Sequence, residues 1–380
     1  MQAKIHIREI IRKERNVQKH SVNWLTEKEV VKEILKNTCY LFLLLSILLT
    51  ACAKSFNSPI KHFEGKPLKK LYPSRIVDLE EFGILNPVQL IQIDDSVFVI
   101  RDSKNENIVN IINLSSKKVI SGVNRGQGPG EVLGASRLQY RNNKILAWDS
   151  RPKKMYEVVV LSDVDLAIKE FYTVDTDMLI SSQLNHLDST FIAVAWFQDY
   201  WLVEMNKDGK ILSTIDFPMW EGTKNIPKTA LANIYQSLMA NSPDNKRIAV
   251  AALSQGLISF LNRTDSGIKE YKQLKYHAPI FTVNEGGRAV TSRDNLEGFR
   301  AIDCDDTHVY VMYSGKTFNS NPTASQSGLC DHLLVYDWNG NPVKRYILGI
   351  PIRSIKYNKE TNSIYGLAEN PEGVLVEYQL

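Results

Sequence analysis

A unit of four short β-strands recurs six times between residues 74 and 380, each copy marked by an Asx-containing turn before a strongly apolar strand. The last copy runs out of chain after three strands, and an unassigned strand-like segment stands at the other end. No convincing helix longer than two turns interrupts the pattern, except around 228–240. These observations predict an all-β fold: a six-bladed β-propeller of four-stranded blades, its ring closed by an N-terminal strand.

The second strands follow the turns in "DDSVFVIRD", "NNKILAWDS", "LDSTFIAVAWF", "DNKRIAVAAL", "DDTHVYVMYSG" and "TNSIYGLAEN". Anchored on Asp95, Asn143, Asp188, Asn245, Asp306 and Asn362, the copies are 45 to 61 residues apart. Third strands follow in register, from "NIVNIINLSSKKVI" to "GVLVEYQL". Within them "NKDGK" and "DWNGNP" read as hairpin turns, where Asn and Gly supply the positive φ of a tight reversal. Residues 74–81, "SRIVDLEE", would complete blade six by pairing outside "VLVEYQL", which removes an exposed sheet edge. A β-sandwich would match the strand content but not the repeat count or the missing strand.

Residues 1–51 stand apart from this core. "CYLFLLLSILLTA" at 39–51 is too short for an ordinary transmembrane helix and fits the apolar region of a signal peptide. Lys28, Lys32 and Lys36 precede it as a positive flank. The basic region runs back to Met1, far longer than usual, and reads as a start assigned upstream of one near Val30 or Val31. Leu49-Thr50-Ala51-Cys52 resembles the lipobox of bacterial lipoproteins, which implies cleavage before Cys52 and a lipid on its thiol. Residues 52–73 then read as a lipidated cysteine and a polar tether ahead of the propeller at 74–380.

Without the leader the chain carries 37 basic and 37 acidic residues, so the whole-chain charge of +4 belongs to the segment removed. No global field favours nucleic acid, and none is expected as a partner. Cys304 and Cys330 remain as candidate disulfide partners, but they fall at opposite ends of one blade and are expected to be free thiols. No HExxH, CxxC or G-x-S-x-G pattern occurs, and neither a metal nor another cofactor is expected.

The stretch "NRGQGPGE" at 124–131 holds the densest glycine cluster. No Lys-Ser/Thr pair follows it and "EVLGASRLQY" continues as a strand, so it is neither a P-loop nor a dinucleotide fingerprint. Gly126, Gly128 and Gly130 suit a tight crossover with Pro129 fixing its direction, and Arg125 and Glu131 are placed to pair with each other, with a neighbouring blade or with a ligand. The lipobox, six repeats and this stretch together resemble the TolB-like six-bladed β-propeller lipoproteins common in Bacteroidetes. A G-x-G-P-G-E-type segment typically sits between the first two blades of that family. The resemblance covers residues 74–380 and implies an envelope protein that works by binding partners.

Six residues before each anchor stand Gln89, Arg137, Ser182, Met239, Arg300 and Lys356, on the strands that would line the central channel. With Arg353 nearby they suggest an electropositive mouth for an anionic group; ion pairing with Asp303 or Asp305 is the competing reading. Some six-bladed propellers are calcium-dependent lactonases with Glu, Asn and Asp in the channel, for which Asn185 and Asp303 are the only candidates found here. A partner surface is sought at "WFQDYW" (196–201), the 216–240 insertion and the loop 315–330, with Trp196 and Trp201 in inter-blade packing as the alternative. The expected role is therefore a non-catalytic binding scaffold for an envelope protein or a small anionic ligand. A metal-dependent lactonase or hydrolase is the alternative. No acidic cluster follows Cys52, which favours an outer-membrane anchor facing the periplasm.

Overall fold

The computed structural model describes residues 58–174, 179–196, 200–221, 225–320, 328–369 and 373–380. The leader, Cys52, the side chains of Ser182 and Trp196, and residues 321–327 of the partner-surface loop lie outside what is described.

Two strands precede the first blade, β1 (Leu68–Leu71) and β2 (Arg75–Asp78). Blade one is β3 (Pro87–Gln92), β4 (Val97–Asp102), β5 (Asn107–Asn113) and β6 (Lys118–Asn124). Blade two is β7 (Arg137–Arg141), β8 (Lys144–Asp149), β9 (Lys154–Ser162) and β10 (Asp165–Thr173). Blade three is β11 (Leu179–Leu187), β12 (Thr190–Trp196), β13 (Tyr200–Asn206) and β14 (Ile211–Asp216). Blade four is β15 (Ser237–Asn241), β16 (Arg247–Ala252), β17 (Leu257–Thr264) and β18 (Gly267–Lys275). A small hairpin, β19 (Phe281–Val283) and β20 (Ala289–Thr291), leads to β21 (Phe299–Cys304), β22 (His308–Tyr313), β23 (Cys330–Asp337), β24 (Pro342–Asn358), β25 (Ser363–Glu369) and β26 (Gly373–Gln379).

The last six strands form one sheet with β1 and β2 that holds two blades, because β24 serves both. Its first half is the outer strand of blade five, against β23, and its second half the inner strand of blade six, against β25. As expected, β2 pairs antiparallel with β26, Arg75 opposite Glu377, and completes blade six. The expected tether is corrected from Ser58 onward. Ser58 caps a short helix, α1 (Pro59–His62), Phe63 is 2% exposed, and β1 runs parallel to β24. An aromatic side chain seated among Phe260, Tyr336 and Tyr313 explains why a polar, proline-bearing segment lies down on the propeller.

Six apolar clusters fill the six junctions between blades. Strand β8 shows how: Ile145 and Ala147 face blade one, whereas Leu146 and Trp148 face blade three. Strand alternation sends successive side chains to opposite faces, and both faces are covered. The second strands therefore read as nearly unbroken apolar runs, each fully buried large side chain contributing about 1.5–3 kcal/mol. In the 216–240 insertion the helix is shorter than expected: α2 (Lys228–Ile234) ends where β15 starts, burying Leu231 and Ile234 between blades three and four. The anchor turns adopt the expected geometry, with positive φ at Asn143, Asp188, Asn245 and Asn362.

Candidate functional site

The inner strands do not pair with one another across the junctions, so their facing backbone groups need side-chain partners. Every junction has a side-chain bond, to backbone at five of them and between two side chains at the junction of blades three and four. Gln89 bonds both the N–H and the C=O of Leu138, and Gln139 does the same for His186 N–H and Leu184 C=O. Asn185 donates to Asn241 Oδ1 at 3.0 Å, and Cys304 Sγ to the Asn241 carbonyl at 3.0 Å. Asp303 accepts from Tyr357 N–H at 2.8 Å and Lys356 Nζ at 2.7 Å, and Ser354 Oγ accepts from Leu90 N–H at 3.2 Å. This ring of short polar side chains explains why the channel strands are less apolar than the strands behind them.

Inside the ring lies a cavity of about 420 Å³ lined by Arg101, Arg137, Arg141, Arg300, Arg353 and Lys356. Asp303 is the one carboxylate among its described lining residues. Arg300 is paired with buried Glu297 at 3.2 Å, Arg353 with Glu369, and Lys356 with Asp303. The expected ion-pairing partners are thus right for Lys356 and corrected for Arg300 and Arg353, whose carboxylates come from beyond the inner strands. Arg137 makes no carboxylate pair among the described residues. It donates to Asn185 Oδ1, Gln183 Oε1 and the Met239 carbonyl at 3.1, 2.7 and 2.9 Å, joining blade two to blades three and four.

Burial drives the Arg137 pKa down to about 10, with Arg101 pushing the same way and Asp303 opposing. Arg101 is likewise held at about 10, by burial and then by Arg125. Arg141 is lowered by burial, against the pull of nearby Cys304, Asp188 and Asp303. Burial, and not a lack of nearby carboxylates, puts these cationic groups under pressure. An anion entering the channel would gain more than one meeting the same groups in water.

A second cavity, of about 510 Å³, shares Arg101, Ser136 and Gln183 with the first and adds Arg125, Arg151 and Ser150. Most of these cations gather at one end of the channel, where the inner strands begin. Arg137 opens β7, Arg300 is second in β21, and Arg101 is paired with Gln89 near the start of β3. Arg125 and Arg151 occupy loops at that same end.

The glycine stretch forms the rim there. Its neck is closed by Gly126 N–H to the Val132 carbonyl at 3.0 Å and Val132 N–H to the Asn124 carbonyl at 3.0 Å. Glu131 folds inward and accepts from Gly128 N–H at 2.8 Å. A Cβ on Gly126 would lie 1.8 Å from that carboxylate and displace the end of the flexible Glu131 side chain, whereas Gly130, at φ +81°, is required by backbone geometry. Of the partners open to Arg125, the structure shows a blade contact and not Glu131: Arg125 donates to the Ser103 carbonyl of blade one at 3.2 Å.

Asn185 and Asp303, the lactonase candidates, both face the channel and both serve the ring just described. Among the described residues no three His, Cys, Asp or Glu side chains gather as a metal-binding group. Cys304 and Cys330 are free, and burial raises both thiol pKa values. Trp201 is fully buried, its indole N–H on the Tyr235 carbonyl at 3.0 Å, and belongs to packing, not to a partner surface. Arg101, Arg141 and Arg151 escaped the sequence reading. None stands at the repeat position that flagged Arg137 and Arg300; Arg141 shares the channel face of β7 with Arg137 by strand alternation, whereas Arg101 and Arg151 come to the channel mouth through the closure of the ring.

Comparison with known families decides the relationship, because residues 67–360 match the profile described as TolB-like 6-blade propeller-like. The chain belongs to this TolB-like family. No curated relative matches it significantly. Among solved structures, the TolB-like chain is similar to a luciferin-regenerating enzyme at 9% identity and TM-score 0.48, covering 80% of this chain and 95% of that one. It is similar to a putative exported protein of Bacteroides fragilis at 12% identity and TM-score 0.46, covering 82% and 99%. The propeller domain of Myceliophteria thermophila Cps50 (Swd1) gives 9% and 0.44, covering 82% and 99%. Likeness at this level says nothing of activity or partner. Among the described residues of the TolB-like chain, no helix is long and apolar enough to cross a membrane.

Proposed function

We propose that this TolB-like propeller is a non-catalytic binding module of the cell envelope that receives an anionic group in its central channel. The observation that carries the reading is the charge of the lining: five arginines and one lysine against a single aspartate. Five of the six junctions are closed by neutral side chains, and Arg101, Arg137 and Arg141 have no carboxylate pair among the described residues. Arginine suits such a site because its planar fork meets carboxylate or phosphate oxygens two at a time. The anionic group belongs to a small ligand or to an envelope protein. Lipid on Cys52 holds the module at the outer membrane, on its periplasmic side, a reading supported by the lipobox-like "LTAC".

Calorimetric titration of the mature protein with phosphate and with citrate tests the channel. Saturable binding that weakens with salt and is lost in Arg101→Gln is expected. Absence of binding, or stoichiometric calcium accompanied by turnover of a lactone, would overturn the proposal. For the anchor, the protein expressed in its host should enter the detergent phase on Triton X-114 partitioning, and Cys52→Ser should move it to the aqueous phase. Protease shaving of intact cells should spare it.

A further inference from the structure

The two cavities differ in what surrounds their cations. In the inner one Arg300, Arg353 and Lys356 each have a carboxylate partner. In the outer one no carboxylate occurs among the described lining residues, while Arg101, Arg125 and Arg151 stand with the hydroxyls of Ser103, Ser136 and Ser150. No ion pair of these three arginines occurs among the described residues. Arg125 is occupied only through one nitrogen, on a backbone carbonyl, and Arg101 Nε is buried without a partner. A buried cation with unfilled donor capacity is costly unless something negative completes it.

Arg101 belongs to both cavities. Its charge is felt by Arg137 on the inner side and feels Arg125 on the outer side, with the neighbouring Asp102 opposing that repulsion in part. Arg125, Arg101 and Arg137 thus form a line of mutually repelling cations that runs from the rim into the channel. One anionic group cannot neutralise the whole line, but two groups placed on either side of Arg101 can.

We infer that the channel mouth is a two-subsite receptor for an elongated small molecule with an anionic group at each end, Arg101 lying between them. The outer group is phosphoryl-like: Arg125, Arg151 and Arg101 supply charge and guanidinium donors, and the Ser103 hydroxyl, which accepts from Asn86, keeps its own proton for an oxygen the forks leave free. The inner group meets Arg101 and Arg137. Tethering the two groups makes the second contact intramolecular, so the two-ended ligand gains affinity well beyond either half. This inference rests on the anion-binding reading of the channel and adds the chemical class of its ligand.

The test uses the mature protein and three probes: inorganic phosphate, glycerol 3-phosphate and fructose 1,6-bisphosphate. The bisphosphate should bind at least about 30-fold more tightly than glycerol 3-phosphate. The double variant Arg125→Gln/Arg151→Gln, at exposed positions whose loss leaves the fold intact by circular dichroism, should remove that advantage. Equal affinity for the one-ended and two-ended probes, or an advantage that survives the double variant, overturns the two-subsite inference while leaving the channel an anion site. If none of the probes binds, and Arg101→Gln changes nothing, the channel reading itself falls.

Discussion

The chain crosses two junctions of the ring in opposite ways. Between blades five and six the chain does not turn at all: β24 passes from one blade into the next as a single 17-residue strand. The strap of α1 and β1 lies against its first half. Between blades one and two the chain leaves the sheet, closes the glycine loop on itself and leaves a cavity of about 510 Å³ at its base. The first junction is held by apolar packing around Tyr346, Leu348 and Ile352; the second exposes Arg125 and backbone. Apolar clusters fix both pairs of blades, and only the chain connections between them differ. Where packing already holds two blades together, the connecting loop is free to carry charge.

The strap gives the sharpest way to break this contrast. Phe63→Ala empties a nearly closed aromatic site, and a loss of about 3 kcal/mol is expected in urea unfolding, with new protease cleavage after residue 58. Undiminished stability would make the strap ornamental and return it to the tether expected from sequence.

The same packed side should be the acid-sensitive one. His277 shares its Nε2 with the Tyr313 hydroxyl at 3.2 Å, beside Phe63, and its pKa is lowered to about 4 by burial. Between pH 6.5 and 4 the unfolded chain binds a proton at His277 that the folded chain refuses, so stability falls as pH drops through that window. The full effect is on the order of 3 kcal/mol. Unfolding curves at pH 7 and pH 5 should differ less in His277→Gln; an equal difference would assign the acid sensitivity elsewhere.

Tyr378 tests the strand that makes no turn. Its hydroxyl donates to the Ile350 carbonyl at 2.7 Å and accepts from Ile350 N–H at 3.1 Å, where β24 passes from one blade's pairing to the next. Tyr378→Phe should cost about 1 kcal/mol, because it leaves the half-buried Ile350 peptide without its side-chain partner. The smallest effect belongs to the open junction. Gly126→Ala displaces the end of a flexible glutamate, so a loss below about 1 kcal/mol is expected, with chloride or phosphate affinity as the more sensitive readout. A loss as large as that of Phe63→Ala would show that the loop, too, holds the ring.

Much of this molecule was legible along the chain. Strand alternation, turn residues with positive φ and an incomplete sixth repeat are local or near-local features, and they determined six blades and their closure by residues 75–78. The glycine stretch declared its crossover role because Gly130 answers to backbone geometry within a few residues. Arg137 and Arg300 were visible because they recur at one repeat position. What the tertiary structure alone decided is which charges meet. Arg101 and Arg151 reach the channel mouth from different blades, Glu297 and Glu369 claim arginines that seemed free, and Phe63 finds its pocket some 200 residues away. Such meetings depend on the closure of the ring, which brings distant residues together at distances no local pattern encodes.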